Sequence, residues 1–242
     1  MKRRYIGYAL LAGLAAASMV RATGDWRTAS HEPVGLAPEA AATPEAVVQV
    51  YAARTFGMRG LFGVHTLVAV KAANAKAWTV YEVIGWRLRW SDSVVAIHQR
   101  DPDARWYGNA PELLADKRGA GVEELIERID RAARAYPHAN EYTMWPGPNS
   151  NTFTAWIARS VPELKLDLPP TAIGKDYVDG KLLASAPSGS GVQLTLGGLF
   201  ALTASAVEGL EVNLLGLTFG VNPFDPALKL PILGRLGAAR TP

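Results

Sequence analysis

The sequence predicts an α+β protein, a small, mostly antiparallel sheet packed by two helices, and three observations carry that class. Two β-rich runs, residues 64–70 and 78–84, flank a short turn; an apolar stripe at helical spacing covers residues 122–136; and short β-branched runs broken by glycine fill residues 191–221. Strands return on themselves through such turns, and a helix with one apolar face covers the sheet they make. A chain of 242 residues, 49% hydrophobic and 19% charged, buries a sizeable core, so one main domain with appendages is expected.

The first element is a leader, residues 1–22. Lys2-Arg3-Arg4 precede the apolar run 5–20, and Arg21 follows. Basic residues before an uncharged run have the organisation of an export signal or membrane anchor, with small residues suited to processing after Ala17 or Ala22. The expected location is therefore periplasmic, with or without retention on the inner membrane through this segment. The charge distribution agrees: removing Lys2, Arg3, Arg4 and Arg21 from the net +3 leaves −1 for the remainder. No basic stripe with interleaved aromatics remains, which argues against nucleic acid as a partner. The chain has no cysteine, so disulfides, thiol catalysis and thiolate metal sites are excluded.

Residues 23–44 contain Pro33, Pro38 and Pro44 and few large apolar groups, and read as a linker. The main domain is expected over 45–188. Its β-branched opening run, 46–53, favours a strand; the hairpin 64–70/78–84 follows; and 101–119 reads mostly as loop. The helix over 122–136 covers the sheet, and a shorter one runs from about Asn151 to Ser160, ending before Pro162. Residues 162–188 are proline-rich and irregular. A β-rich C-terminal extension, 189–242, either completes the sheet or lies against lipid or another subunit.

The candidate site starts at Trp145-Pro146-Gly147-Pro148-Asn149-Ser150. Two prolines restrict this loop, a glycine lets it turn, and Asn149 and Ser150 suit a helix start. Ser150 reads either as a helix cap or as a nucleophile where backbone N–H groups and the helix dipole favour an oxyanion. A serine hydroxyl needs a base. Of the four histidines, His65 alone sits inside an apolar strand, and a turn centred near Asn74 sends Glu82 to the same face, diagonal to it. The plainer alternatives are a hydrogen-bonded sheet histidine for His65 and an ion pair with Arg87, Arg89 or Lys71 for Glu82. Trp106, Tyr107, Trp145, Asn149 and Asn151 are candidate binding residues, since aromatics clustered beside turns suit a groove. No close His/Glu spacing implies a metal, and no motif calls for a cofactor. Gly174-Lys175 is not a nucleotide loop, because Asp176 stands where a hydroxyl residue should follow.

These pieces carry a resemblance. His65-Thr66-Leu67-Val68-Ala69-Val70-Lys71, Trp106-Tyr107-Gly108-Asn109, the Trp145 loop and Ile173-Gly174-Lys175-Asp176-Tyr177 resemble a bacterial family catalogued as domain of unknown function 3750. The order His65, Glu82, then Asn149-Ser150-Asn151-Thr152-Phe153 at a helix start is also similar to the circularly permuted papain-like proteins, the NlpC-type and lecithin:retinol-acyltransferase-like group. That resemblance implies a papain-like fold with His65 as base, Glu82 as orienter and Ser150 in the place of the catalytic cysteine. A hydroxyl there lacks the low pKa on which a thiolate site depends. Three functions follow as expectations: a binding module or pseudoenzyme for an envelope ligand such as peptidoglycan, peptide or lipid; a serine hydrolase or acyltransferase on the same substrates; and a structural protein tethered to the membrane. The weak serine favours the first.

Overall fold

The computed structural model describes residues 25–238. The leader lies outside the described residues. Two antiparallel sheets and two helices follow one another along the chain. Sheet one has the order β4-β3-β2-β1-β5, built from β1 (Val47–Arg54), β2 (Val64–Lys71), β3 (Thr79–Val83), β4 (Val95–Gln99) and β5 (Pro111–Arg118). The expected hairpin is β2/β3, in the register Val68↔Tyr81, and its turn holds Asn74 at φ 59°. The stretch 101–119, expected mostly as loop, supplies β5 as an edge strand beside β1, with a register shift between Val50 and Tyr51. Pro111 opens that strand, where a missing N–H is tolerated.

Helix α1 (Val122–Arg134) and helix α2 (Ser150–Ser160) lie on one face of sheet one. The even-numbered residues of β1 and β2, among them Val48, Val50 and Val68, meet Tyr81 of β3, Ile129 of α1, and Phe153 and Ile157 of α2 in the main core. Burying side chains of this size contributes roughly 1.5–3 kcal/mol each, so this layer is the chief source of stability. On the opposite face a second cluster gathers Val47, Tyr51, Leu67, Trp78 and Val80. Residues 33–44, expected as a linker, form an extended cover over it. Trp78 donates from Nε1 to the carbonyl of Pro38 at 3.1 Å, and the Asp103 carboxylate accepts from the backbone N–H of Leu36 at 2.7 Å.

After α2, residues 162–182 run irregularly into sheet two. This is a seven-stranded meander comprising β6 (Leu183–Ser185), β7 (Gly191–Leu196), β8 (Phe200–Ser205), β9 (Gly209–Leu214), β10 (Leu217–Asn222), β11 (Ala227–Leu230) and β12 (Gly234–Gly237). Each strand pairs with its sequence neighbours. Its covered face is polar. Lys229 Nζ donates to Asp167 and Glu211, both at 2.6 Å, and Lys175 Nζ to Glu211 at 2.6 Å and Asp176 at 2.9 Å. Asn213 and Gln193 donate to Asp176, and Arg159, from the end of α2, reaches Gln193 Oε1 at 2.7 Å. Burial alone would lower the Lys175 pKa, but the Asp176 and Glu211 carboxylates raise it and keep the ammonium charged. Sheet two is thus fastened to the rest of the chain through paired charges.

Candidate functional site

The loop before α2 is fixed by Asn149. Its side-chain oxygen accepts from the N–H groups of Asn151 and Thr152, while Thr152 Oγ1 returns a bond to the Asn149 N–H, a reciprocal cap. Its amide also donates to the carbonyls of Met144 and Ile173, each at 3.0 Å. Gly174, at φ +98°, makes room for it: a Cβ there would lie 2.4 Å from the Asn149 amide nitrogen. Asn149, not Ser150, is therefore the cap. Ser150 is the first helical residue, and its hydroxyl makes no hydrogen bond among the described residues.

Asn151 is spent on structure. It donates to the carbonyls of Val64 and Ile173 and accepts from Thr66 Oγ1, tying the helix start to β2 and to the segment holding Gly174. Thr66 Oγ1 also lies 2.9 Å from Thr154 Oγ1, whose hydroxyl can donate to it. This polar seam lets the N-terminus of α2 approach the strand closely without orphaning buried donors.

His65 points to the other face of β2, as the alternation along the strand requires, because Thr66 turns toward α2. Its Nε2 lies 2.7 Å from Glu82 Oε2, and its ring stacks on Trp106 at 3.7 Å between centroids with planes 5° apart. The expected diagonal pairing across the hairpin is present. Glu82 also receives His98 Nε2 at 2.8 Å and Arg100 at 3.0 Å. Burial would push its carboxyl up; the hydrogen bonds from His65 and His98, with the Arg100 charge, hold it well below the ordinary carboxylate range. The expected ion partners were Arg87, Arg89 or Lys71. Arg100 takes that place, while Lys71 donates to the carbonyls of Thr43 and Ala72 and Arg87 to that of Ser93. An ionised carboxylate only accepts, so His65 Nε2 is the donor in its bond to Glu82.

One cavity of about 610 Å³ opens across the start of β2 and the end of β3. It gathers His65, Trp106, Tyr107, Trp145, Asn149, Ser150 and Asn151, all the residues singled out in the sequence except Glu82, which stands behind His65. Phe56, Met58, Phe62, Trp86, Tyr142 and Met144 are the large apolar side chains of the remaining wall. The sequence reading did not select these, and it missed His98 and Arg100. The register of β3 and β4 pairs Glu82 with Ala96, so His98 stands diagonal to Glu82 just as His65 does; that register is not readable from the local sequence. Ser150 and His65 reach the cavity from opposite faces of the sheet, and no hydrogen bond joins them. Among the described residues no group of three His, Cys, Asp or Glu is placed to hold a metal ion.

What the arrangement offers is an apolar trough with a polar floor. The walls are aromatic and aliphatic, and the floor carries one imidazole oriented by a carboxylate and one unbonded hydroxyl at a helix N-terminus. Comparison with known proteins is brief. Residues 45–177 match the model of a family described as Protein of unknown function (DUF3750). No curated protein and no solved structure matches.

Proposed function

The chain belongs to the DUF3750 family, and from that premise we propose that it is a cell-envelope binding module whose trough takes the apolar chain of an amphiphilic ligand, a lipid or lipid-linked peptide. The observation that carries this reading is the cavity itself. Its volume, about 610 Å³, falls within the 300–1,000 Å³ typical of small-molecule sites, and its wall is dominated by Phe56, Met58, Phe62, Trp106, Met144 and Trp145. An acyl chain along that wall leaves a head group near His65, Ser150 and Arg59. The N-terminal sequence of Lys2-Arg3-Arg4 followed by an apolar run supports a periplasmic site of action, at the inner membrane.

The test uses the tryptophans in the wall. A fatty acid brominated in mid-chain should quench intrinsic fluorescence saturably, and Trp145→Ala should weaken the capture without unfolding the protein. Quenching that rises linearly without saturation, or that is unchanged in Trp145→Ala and Trp106→Ala alike, removes the trough as a binding site.

A second reading, serine-dependent hydrolysis or acyl transfer on a papain-like scaffold, is favoured by the unbonded Ser150 hydroxyl at a helix N-terminus. It requires His65 Nδ1 to reach Ser150 through a shift of ligand or side chain, since the two are not bonded. The Ser150→Ala variant separates the readings: it abolishes ester turnover under this one and leaves fatty-acid capture intact under the first.

A further inference from the structure

Sheet two is inverted relative to a sheet that faces water on one side. Its covered face carries Gln193, Thr203, Glu211, Asn213 and Lys229, while the four central strands β7–β10 turn only valine, leucine, phenylalanine and alanine fully outward. Across those strands Leu194, Leu202, Val212 and Phe219 stand in one row, exposed by 40–55%. Contiguous apolar surface on this scale marks an interaction face.

The two ends of the meander differ as well. At one end the turns mix polar and apolar residues, Ser190 and Asp225 beside Val207 and Phe224, the last exposed by 75%. At the other end they are apolar: the β7–β8 turn is built of leucine and glycine, the β9–β10 turn has Leu215 at its tip, and the β11–β12 turn reads Pro231-Ile232-Leu233. Leu215 and Ile232 sit at φ 53° and 67°, where turns ordinarily place glycine, asparagine or aspartate. Both tips are fastened to the mouth of the trough. Trp145 Nε1 donates to the Leu215 carbonyl at 3.0 Å, and Arg54 bridges the Ile232 carbonyl, at 2.7 Å, to that of Leu61, at 3.0 Å, beside Met58 and Phe62 of the cavity wall.

We propose that this end of sheet two, with the outward face that rises from it, seats in a lipid bilayer, so that the mouth of the trough opens toward lipid. A flat partner laid on the sheet would cover the strands and leave the tips and the rim exposed, whereas a bilayer covers a face, its edge and the adjoining rim together. The chain ahead of the described residues favours the same occupant. Residues 5–20 are an apolar run behind three basic residues, and the chain enters the structure beside the trough: Gly108 N–H donates to the Ser30 carbonyl at 2.9 Å, and the His31 ring packs on Tyr107, 5.0 Å between centroids. Amphipathic surfaces of this kind immerse their apolar side at the head-group boundary. The docking stands whether or not the trough takes an acyl chain.

The absence of cysteine makes the test direct. Leu202→Cys, Leu215→Cys and Ala206→Cys, each in the full chain, carry one environment-sensitive fluorophore on the outward face, an apolar tip and the end of the meander away from the trough. With vesicles of phosphatidylethanolamine and phosphatidylglycerol, acyl-chain nitroxides should quench the first two labels several-fold more than the third. Adding Val212→Asp to the Leu215→Cys chain should reduce that quenching several-fold while the far-ultraviolet circular dichroism stays unchanged. Labels at Leu202 and Leu215 that remain in water while the chain sediments with vesicles overturn the proposal. So does shielding in buffer that grows with protein concentration, which assigns the face to a second copy, and so does concentration-independent shielding in buffer, which assigns it to the leader.

Discussion

Replacing Lys229 by methionine tests whether paired charges hold sheet two in place. The ammonium is almost wholly buried and meets Asp167 and Glu211 at 2.6 Å and the Glu208 carbonyl at 2.8 Å. Methionine keeps most of the volume and removes the charge. The variant takes the ammonium away from two buried carboxylates, and breaking a buried pair from one side costs about 3–5 kcal/mol. At about 2–4 °C per kcal/mol for a chain of this size, the midpoint of thermal unfolding should fall by roughly 6–20 °C. Urea denaturation followed by circular dichroism measures the loss, and amide exchange in β9–β11 locates it. Adding Asp167→Asn removes the carboxylate that faced the lost ammonium, and the double variant should recover about 1–3 kcal/mol of what the single variant lost. A Lys229→Met cost below about 1 kcal/mol, the value of an exposed pair, or strict additivity in the double variant, refutes the assignment of Lys229 as the junction's charge partner.

Two further outcomes follow from the site. Asn149→Ala removes a reciprocal cap and should cost about 0.5–2 kcal/mol, while Ser150→Ala, whose hydroxyl bonds to nothing among the described residues, should stay within about 0.5 kcal/mol; equal costs in thermal unfolding would return the capping role to Ser150. Glu82 is held below its ordinary pKa of 4.5, so its ionised form stabilises the fold above that pH and the contribution is lost as pH falls below it. The stability difference between wild type and Glu82→Gln, read by urea unfolding, should therefore shrink between about pH 4.5 and pH 3; a difference that widens over that interval contradicts an ionised Glu82 in the folded state.

The sequence is most legible where one periodicity dominates. The β2/β3 hairpin, the helix over Val122–Arg134 and the shorter helix after the Trp145 loop all follow from spacing, and so does the diagonal approach of His65 and Glu82. The edge strands are not legible that way. In β5, Pro111 and the charged Asp116-Lys117-Arg118 read as loop because an edge strand carries the proline and charges that a central strand excludes. Which basic residue pairs with Glu82 depends on the β3/β4 register, and nothing in the local sequence around Arg100 fixes that register. Alternation also leaves open which face is covered. In β7–β10 it marks strands correctly, yet the leucines face outward, because Lys175 and Asp176 wait beneath the sheet and only polar partners can satisfy them. Ser150 and Asn149 are equally good caps by residue type; the carbonyls of Met144 and Ile173, distant in sequence, select Asn149.

The cover over the second face of sheet one fixes the length of a leash. The chain is pinned from Ser30 onward, through Gly108, the Pro33↔Ala104 bridge, Asp103 and Trp78. If the apolar run ending at Val20 stays in a membrane, nine residues (21–29) separate it from the first pinned position, and from Val20 to Ser30 the chain spans at most about 35 Å at full extension. That is shorter than the reach of a flexible domain tether and comparable to the size of the domain itself. A retained leader would then act as a hobble, confining the trough to the layer next to the lipid and raising its encounter rate with anything that lies there, while denying it access to ligands held farther from that lipid.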